Sequence, residues 1–223
     1  NYAETSTLRD RLAARGCAPT QEDERADIAI VNTCSVTGEA DAKCRHAIHR
    51  LHREHPGAFI AVMGCYAQLS GEHIAKMEGV DLVVGQESKG RIIELIEEHL
   101  EAKQMGARAD STSHGGIFYH SPLKDIKTFV PSCSRGERTR YFLKVQDGCN
   151  YYCTYCTIPF ARGKSRSASV AVTMDTIRRA IAEGAREIIL TGVNIGDFGN
   201  GSSERFIDLV RSIDDMTDEV RFR

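Results

Sequence analysis

Three cysteines, Cys149, Cys153 and Cys156, stand in C-x3-C-x2-C spacing within the stretch Val145-Gln-Asp-Gly-Cys-Asn-Tyr-Tyr-Cys-Thr-Tyr-Cys-Thr-Ile-Pro159. Three thiolates this close, with no fourth Cys or His directly behind them, suit a [4Fe-4S] cluster held at three irons, with the fourth iron left for a small-molecule ligand. An open iron makes the motif catalytic rather than structural. Zinc is the competitor: a structural zinc normally takes four protein ligands, commonly two C-x2-C knuckles or a Cys/His mixture. This stretch offers one x3 gap, one x2 gap and no partner knuckle, so iron-sulfur ligation is the better fit.

A second pair of cysteines stands near the start of the chain. Cys34 follows the apolar run Ile28-Ala-Ile-Val-Asn-Thr33, and Cys65 follows Ile60-Ala-Val-Met-Gly64. Both fall just beyond the carboxyl ends of expected parallel strands, the edge at which open α/β sheets build their sites. Two buried thiols acting as small apolar residues is the alternative. Cys44 and Cys133 have no partner spacing and are expected to be free thiols; Cys17 follows Gly16 at a helix end and is rejected as a ligand. His46, His49, His52 and His55 recur every third residue among arginines and read as a basic solvated helix face.

The elements that must position these residues alternate helix and strand. Thr5 to Arg15 is expected as a helix with Leu8, Leu12 and Ala13 on one face. It is followed by strand 27–32, helix 39–54, strand 59–63, helix 70–77, strand 80–84 and helix 88–103. Continuous apolar strands between helices imply a parallel sheet covered on both faces, a small doubly wound α/β domain over 1–103. Gly106, the run Asp-Ser-Thr-Ser-His-Gly-Gly and two prolines, Pro122 and Pro131, mark 104–138 as a linker. From 139 to 223 strand 140–146, the cysteine loop, helix 173–183, strand 187–191, helix 204–213 and strand 219–223 read as the first βα units of a partial (β/α) barrel. The sequence is expected to be part of something longer, because an open three-stranded piece leaves an unpaired edge. Composition adds limits: 41% hydrophobic and 27% charged residues suit a globular protein, and a net charge of -2 carries no general nucleic-acid signature. No apolar run approaches the roughly 20 residues that cross a bilayer, and the first residues lack a secretory pattern. A cytoplasmic protein without a membrane partner is expected, its eight cysteines serving as metal ligands or free thiols.

The cysteine loop, entered from a strand and carrying Tyr155 before its last Cys, is similar to that of the radical S-adenosylmethionine (SAM) superfamily. The wider set is more specific. It comprises Asn32-Thr-Cys-Ser-Val-Thr37 with Ala40, Asp41 and Lys43; Gly64-Cys-Tyr-Ala-Gln68; Gly79-Val-Asp81 to Gly85; Lys144-Val-Gln-Asp-Gly-Cys149 to Cys156; Ile158-Pro159 with Arg162-Gly-Lys-Ser-Arg-Ser167; and Glu187-Ile-Ile-Leu-Thr-Gly-Val193. Together these resemble the methylthiotransferases, radical SAM enzymes that add a methylthio group to tRNA or, in one branch, to a ribosomal protein. The resemblance implies two [4Fe-4S] clusters, one on Cys149, Cys153 and Cys156 that binds SAM, and an auxiliary one to which Cys34 and Cys65 carry over. The auxiliary cluster's first cysteine normally lies in a Gly-Cys-x-x-Asn segment. Asn1 looks like that Asn, so this chain supplies the auxiliary site incompletely. The remaining barrel and a small RNA-binding β domain are likewise expected elsewhere.

The resemblance further implies that the reduced cluster cleaves SAM to a 5'-deoxyadenosyl radical that takes hydrogen from an unactivated carbon. The auxiliary cluster supplies or presents sulfur, and a second SAM the methyl group. It places Tyr155 near the adenine and makes an electron donor such as flavodoxin or ferredoxin a partner. Thr191-Gly192-Val193-Asn194, at the carboxyl face of the expected barrel, is a candidate SAM contact, with an ordinary glycine turn as the alternative. Arg162, Lys164 and Arg166 could grip RNA phosphate or form a solvated loop. Ser35-Val36-Thr37 looks like the MtaB-type branch, which modifies threonylcarbamoyladenosine beside the tRNA anticodon; isopentenyladenosine in tRNA or a ribosomal protein are the other family substrates. A non-enzymatic iron-sulfur electron carrier and a zinc RNA-binding module are the rivals outside the family.

Overall fold

Valine- and isoleucine-rich strands with no polar alternation must bury both faces, and the computed structural model does so with helices. It describes residues 2–21, 24–35, 37–104, 115–134, 140–216 and 220–223. Expectations resting on Asn1, Val36, Gly106 or Glu219 lie outside these.

The chain divides into two compact units, each assembled from separated segments. One comprises Thr20–Ile126 with Cys153–Arg162; the other comprises Asn1–Pro19, Lys127–Tyr152 and Gly163–Arg223. This grouping differs from boundaries at 103 and 138 for two physical reasons. Helix α1 (Tyr2–Ala13) buries Ala3, Ser6 and Leu8, rather than the expected Leu8/Leu12/Ala13 face, and packs with strands that come much later in sequence. Part of the expected linker is a strand, since backbone pairing there completes a sheet edge.

In the first unit, β1 (Ile28–Thr33), α2 (Gly38–Glu54), β2 (Phe59–Gly64), α3 (Cys65–Ala75), β3 (Leu82–Val84), α4 (Ile92–Gln104) and β4 (Ile117–Tyr119) follow in order. The four strands form an all-parallel sheet in the order β1-β2-β3-β4. Thr37 caps α2, its Oγ1 accepting from Ala40 N–H at 3.2 Å, a contact worth about 1 kcal/mol. On one sheet face Ile60, Val62 and Val83 pack with Ile48 of α2 and Ile74 of α3, all excluded from solvent. The alternate residues Phe59 and Tyr119 meet the ring of His99 on α4, with centroids 6.4 and 5.9 Å apart. Helices therefore cover both faces, as the doubly wound expectation requires. A short helix, α5 (Ile158–Arg162), packs on α3.

The second unit continues with β5 (Ser132–Cys133), β6 (Arg140–Lys144), β7 (Gln146–Asp147), β8 (Arg166–Ser167), α6 (Val170–Ala182), β9 (Glu187–Thr191), α7 (Phe206–Asp214) and β10 (Arg221–Phe222). Strands β6, β9 and β10 are parallel neighbours with β5 antiparallel at the edge, while β7 and β8 form a small antiparallel ribbon. Leu143, Ile177, Ile188 and Leu209 form the buried centre, joining the sheet to α6 and α7. The βα order is that of the opening of a β/α barrel.

Candidate functional site

The carboxyl edge of the first sheet is shaped by one close approach. Register pairs Thr33 with Gly64, so Cys34 and Cys65 leave neighbouring strands side by side. Gly64 has φ 105° and ψ -165°, and a Cβ there would strike the carbonyl oxygen of Thr33 and come within 2.7 Å of its nitrogen. Only glycine has no Cβ to place there. Thr33 Oγ1 locks the junction, donating to Met63 O at 2.7 Å and accepting from Ala67 N–H at 3.2 Å. Cys65 is the first residue of α3, which begins five residues before the expected helix at 70 and kinks at Ser70. Cys65 is buried and Cys34 half-buried. Cys44 on α2 donates its thiol to Cys34 O at 3.5 Å, and burial pushes that thiol's pKa up.

The second half of the cysteine loop lies on this same unit. Cys156 N–H donates to Cys153 O at 2.9 Å, forming a tight turn that leads into α5. Thr157 Oγ1 donates to Ser35 O at 3.2 Å, and Arg162 Nε donates to Cys65 Sγ at 3.4 Å. Because Ser35 adjoins Cys34, the segment behind Cys156 is tied at one end beside Cys34 and at the other to Cys65. Tyr155 is 89% exposed, so the face of its ring is open to a ligand.

Cys149 belongs to the second unit, where its N–H donates to Gly163 O at 3.0 Å. Just before it, the buried Gln146 amide accepts through Oε1 from Val193 N–H at 2.8 Å and Asn194 N–H at 2.9 Å. Its Nε2 donates to Gly148 O at 2.8 Å, Ser165 Oγ at 2.9 Å and Asp147 O at 3.1 Å. Thr191 Oγ1 donates to Leu143 O at 3.1 Å, anchoring the start of the Thr191–Asn194 loop to β6. Asp147, 1% exposed, accepts from Gly148 N–H at 2.9 Å and pairs with Lys144 at 3.4 Å and Arg166 at 3.7 Å. Lys144 also meets Glu4 of α1 at 2.6 Å.

The three basic residues expected to meet RNA therefore have different surroundings. Lys164 is exposed. Arg162 is turned onto Cys65, and the Arg166 side chain is drawn into the Asp147 network, donating also to Thr128 O and Lys164 O. Gln146 and Asp147 stand in the motif Lys144–Cys149, but the contacts they make, like those of Thr157 and Arg162, are not evident from sequence. Only the clustering of polar residues around the cysteine motif could have pointed to them. No disulfide joins any of the eight cysteines. Among the described residues no three Cys, His, Asp or Glu side chains converge as a metal-binding group. The donor set of the loop, three free thiols with no acid or histidine between them, has the chemistry of an iron-sulfur site. His46 and His49 are exposed, His52 faces Glu78 at 3.8 Å and His55 Nδ1 accepts from Ala26 N–H, consistent with a solvated face.

Residues 143–217 match the family described as the Radical SAM superfamily, and residues 1–85 match the uncharacterized protein family UPF0004. The threonylcarbamoyladenosine tRNA methylthiotransferase MtaB of Aquifex aeolicus is 34% identical over 199 residues, covering 89% of this chain and 46% of the relative. Over most of its length the chain is similar to radical SAM methylthiotransferases. The Bacillus subtilis MtaB is 31% identical over 99% of this chain and 47% of its own length. A tRNA-2-methylthio-N(6)-dimethylallyladenosine synthase of Syntrophobacter fumaroxidans is 34% identical over 95% of this chain and 46% of its own length. The chain spans about half the length of these curated relatives. Among solved structures, the radical S-adenosylmethionine methyltransferase TsrM from Kitasatospora setae, with tryptophan substrate and a SAM analog bound, shares the fold. Its TM-score is 0.53 at 15% identity, over 98% of this chain and 45% of that one. Among the described residues no helix is long and apolar enough to cross a membrane.

Proposed function

We propose that this chain provides the sulfur-inserting half of a tRNA methylthiotransferase that acts at C2 of N6-threonylcarbamoyladenosine beside the anticodon. The observation that carries this reading is the double tie of the segment behind Cys156, through Thr157 to Ser35 O and through Arg162 to Cys65. A generic radical SAM enzyme needs the cysteine triad alone, whereas sulfur insertion needs a second set of thiols in reach of the same loop. The substrate branch is supported by the MtaB relatives and by Ser35 and Thr37 after Cys34.

Cys149, Cys153 and Cys156 hold the SAM-binding [4Fe-4S] cluster. Cys34 and Cys65 are two of the auxiliary ligands, and the third belongs to a Gly-Cys-x-x-Asn segment. Bound there, a reduced cluster and SAM would supply the one-electron chemistry that activates an unreactive substrate carbon. The chain's own residues orient and enclose. Thr191, Gly192, Val193 and Asn194 line the SAM site, Tyr155 covers the adenine, and Thr157 and Arg162 hold Cys34 and Cys65 against the loop. Lys164 is the exposed phosphate contact for the anticodon stem-loop. A flavodoxin or ferredoxin delivers the electron, and the enzyme works in the cytoplasm.

Anaerobic reconstitution tests the reading: iron and sulfide bound by the triad, with 5'-deoxyadenosine formed on reduction with SAM, is the expected result. Stoichiometric zinc without SAM cleavage would refute it. Mass spectrometry of tRNA nucleosides from cells lacking the protein tests the branch, with loss of methylthiolated threonylcarbamoyladenosine expected.

A further inference from the structure

A primary amide offers two N–H donors and an oxygen with two lone pairs, and burial makes each unmet valence costly. Gln146 is 0% exposed and meets all of them across three separate stretches of the second unit. Both lone-pair positions of Oε1 are taken by consecutive backbone N–H groups, Val193 at 2.8 Å and Asn194 at 2.9 Å. The Nε2 hydrogens go to Gly148 O at 2.8 Å, to Ser165 Oγ at 2.9 Å and, longer, to Asp147 O at 3.1 Å. Gly148 directly precedes Cys149, and Ser165 lies between Lys164 and Arg166. One side chain therefore fixes the peptide leading into the cysteine loop and the loop after β9.

The neighbouring glycine fits the same purpose. A Cβ at Gly192 would come within 3.0 Å of Gln146 Oε1 and 3.1 Å of Gln146 Cβ, closer than nearly all such contacts, so the absence of a side chain lets the loop close over the amide. Two successive N–H groups turned onto one oxygen fix the peptide planes of Val193 and Asn194. No regular secondary structure does so here, because β9 ends at Thr191 and the next turn begins at Ile195.

We propose that Gln146 is a positioning residue for SAM: its oxygen sets the Val193–Asn194 backbone and its nitrogen keeps that loop in register with the peptide before Cys149. The inference rests on the assignment of the Thr191–Asn194 loop to SAM. It is distinct from that assignment because it locates the control of the loop in a residue that does not touch the ligand.

The test uses two variants and a readout independent of the cluster. In metal-free protein, Gln146→Leu removes the acceptor, and amide hydrogen exchange at Val193 and Asn194 is expected to rise about tenfold, the worth of one such bond. Exchange at Ile177 and Leu209 in the core of the same unit should stay within about twofold, showing that the unit remains folded. In reconstituted protein the SAM dissociation constant is expected to rise about tenfold. Gln146→Glu, which keeps an acceptor oxygen, should retain slow exchange at both amides, and its SAM affinity should fall less than that of the leucine variant. Faster exchange with unchanged SAM affinity would reduce Gln146 to a structural role and overturn the proposal, as would unchanged exchange in Gln146→Leu. Should the leucine variant unfold, fast exchange at Val193 and Asn194 in a folded Gln146→Glu would overturn it. Absence of SAM binding by the unsubstituted protein would instead refute the assignment of the loop, so the two failures are distinguishable.

Discussion

Replacing Gly64 with alanine should cost far more than the added methyl suggests. The backbone there, φ 105° and ψ -165°, lies in a region open essentially to glycine, and forcing an L-residue into it costs about 1–3 kcal/mol. The new Cβ would also strike the Thr33 backbone, with its nitrogen at 2.7 Å, and crowd the Asn32 side-chain oxygen at 2.9 Å; the backbone contacts cannot simply swing aside, adding about 1–3 kcal/mol of overpacking. The sum, about 2–6 kcal/mol, is a large share of a domain's usual stability of roughly 5–15 kcal/mol. Gly57 is the control, because it too has positive φ, 88°, yet no atom lies within 4 Å of the point its Cβ would occupy, so Gly57→Ala carries only the backbone cost of about 1–2 kcal/mol. Native-state hydrogen exchange of the β1 and β2 amides measures both in the unit concerned. Gly64→Ala should weaken protection well beyond Gly57→Ala. Equal losses in the two variants, or a Gly64→Ala effect below about 0.5 kcal/mol, would show that the strand ends do not approach as described.

Other consequences can be checked separately. Lys164→Ala should weaken binding of an anticodon stem-loop and reduce the slope of log affinity against log salt by about one, whereas Arg162→Ala, whose guanidinium faces Cys65, should leave that slope unchanged. Asp147→Ala strands Arg166 and part of the Lys144 charge in a buried setting and should cost about 3 kcal/mol in urea unfolding; a near-neutral result would mean the network is solvated. Burial raises the Cys44 pKa, so its thiolate forms only at higher pH than an ordinary thiol. Iodoacetamide should label it more slowly than exposed Cys17 at neutral pH, with the gap narrowing as pH rises. Equal labelling throughout would contradict the described burial.

Much of the sheet framework is visible in sequence because apolar runs and helical periodicity are local. The strand at 187–191 is found where expected, and Cys34 and Cys65 stand just past the carboxyl ends of β1 and β2, as the strand pattern implies, although Cys65 opens a helix where a loop is expected. What escapes is whatever depends on distant partners. Strand β4 is three residues long and becomes a strand only through pairing of Leu82–Val84 with Ile117–Tyr119. Helix α1 shows an apolar face but not what covers it. Arg162, Lys164 and Arg166 look alike as alternating charges, yet their different surroundings are set by Cys65 and Asp147, residues that spacing cannot bring near. Gln146 reads as one polar residue in a strand, and its partners Val193 and Asn194 lie 47 and 48 positions away.

The discontinuous make-up of the units also bears on synthesis at the ribosome. Thr7 of α1 donates to Cys133 O, a partner 126 residues later. At translation rates of about 5–20 residues per second, α1 emerges roughly 6–25 s before the strand it packs on. During that interval Leu8 has no native cover, and the nascent chain presents a ready site for a chaperone. The sheet of β1 to β4 can form meanwhile, but it receives α5 only after residue 162 has left the exit tunnel. Slowing translation between residues 34 and 162 should therefore lengthen the period in which the strand-end thiols are unshielded and open to oxidation.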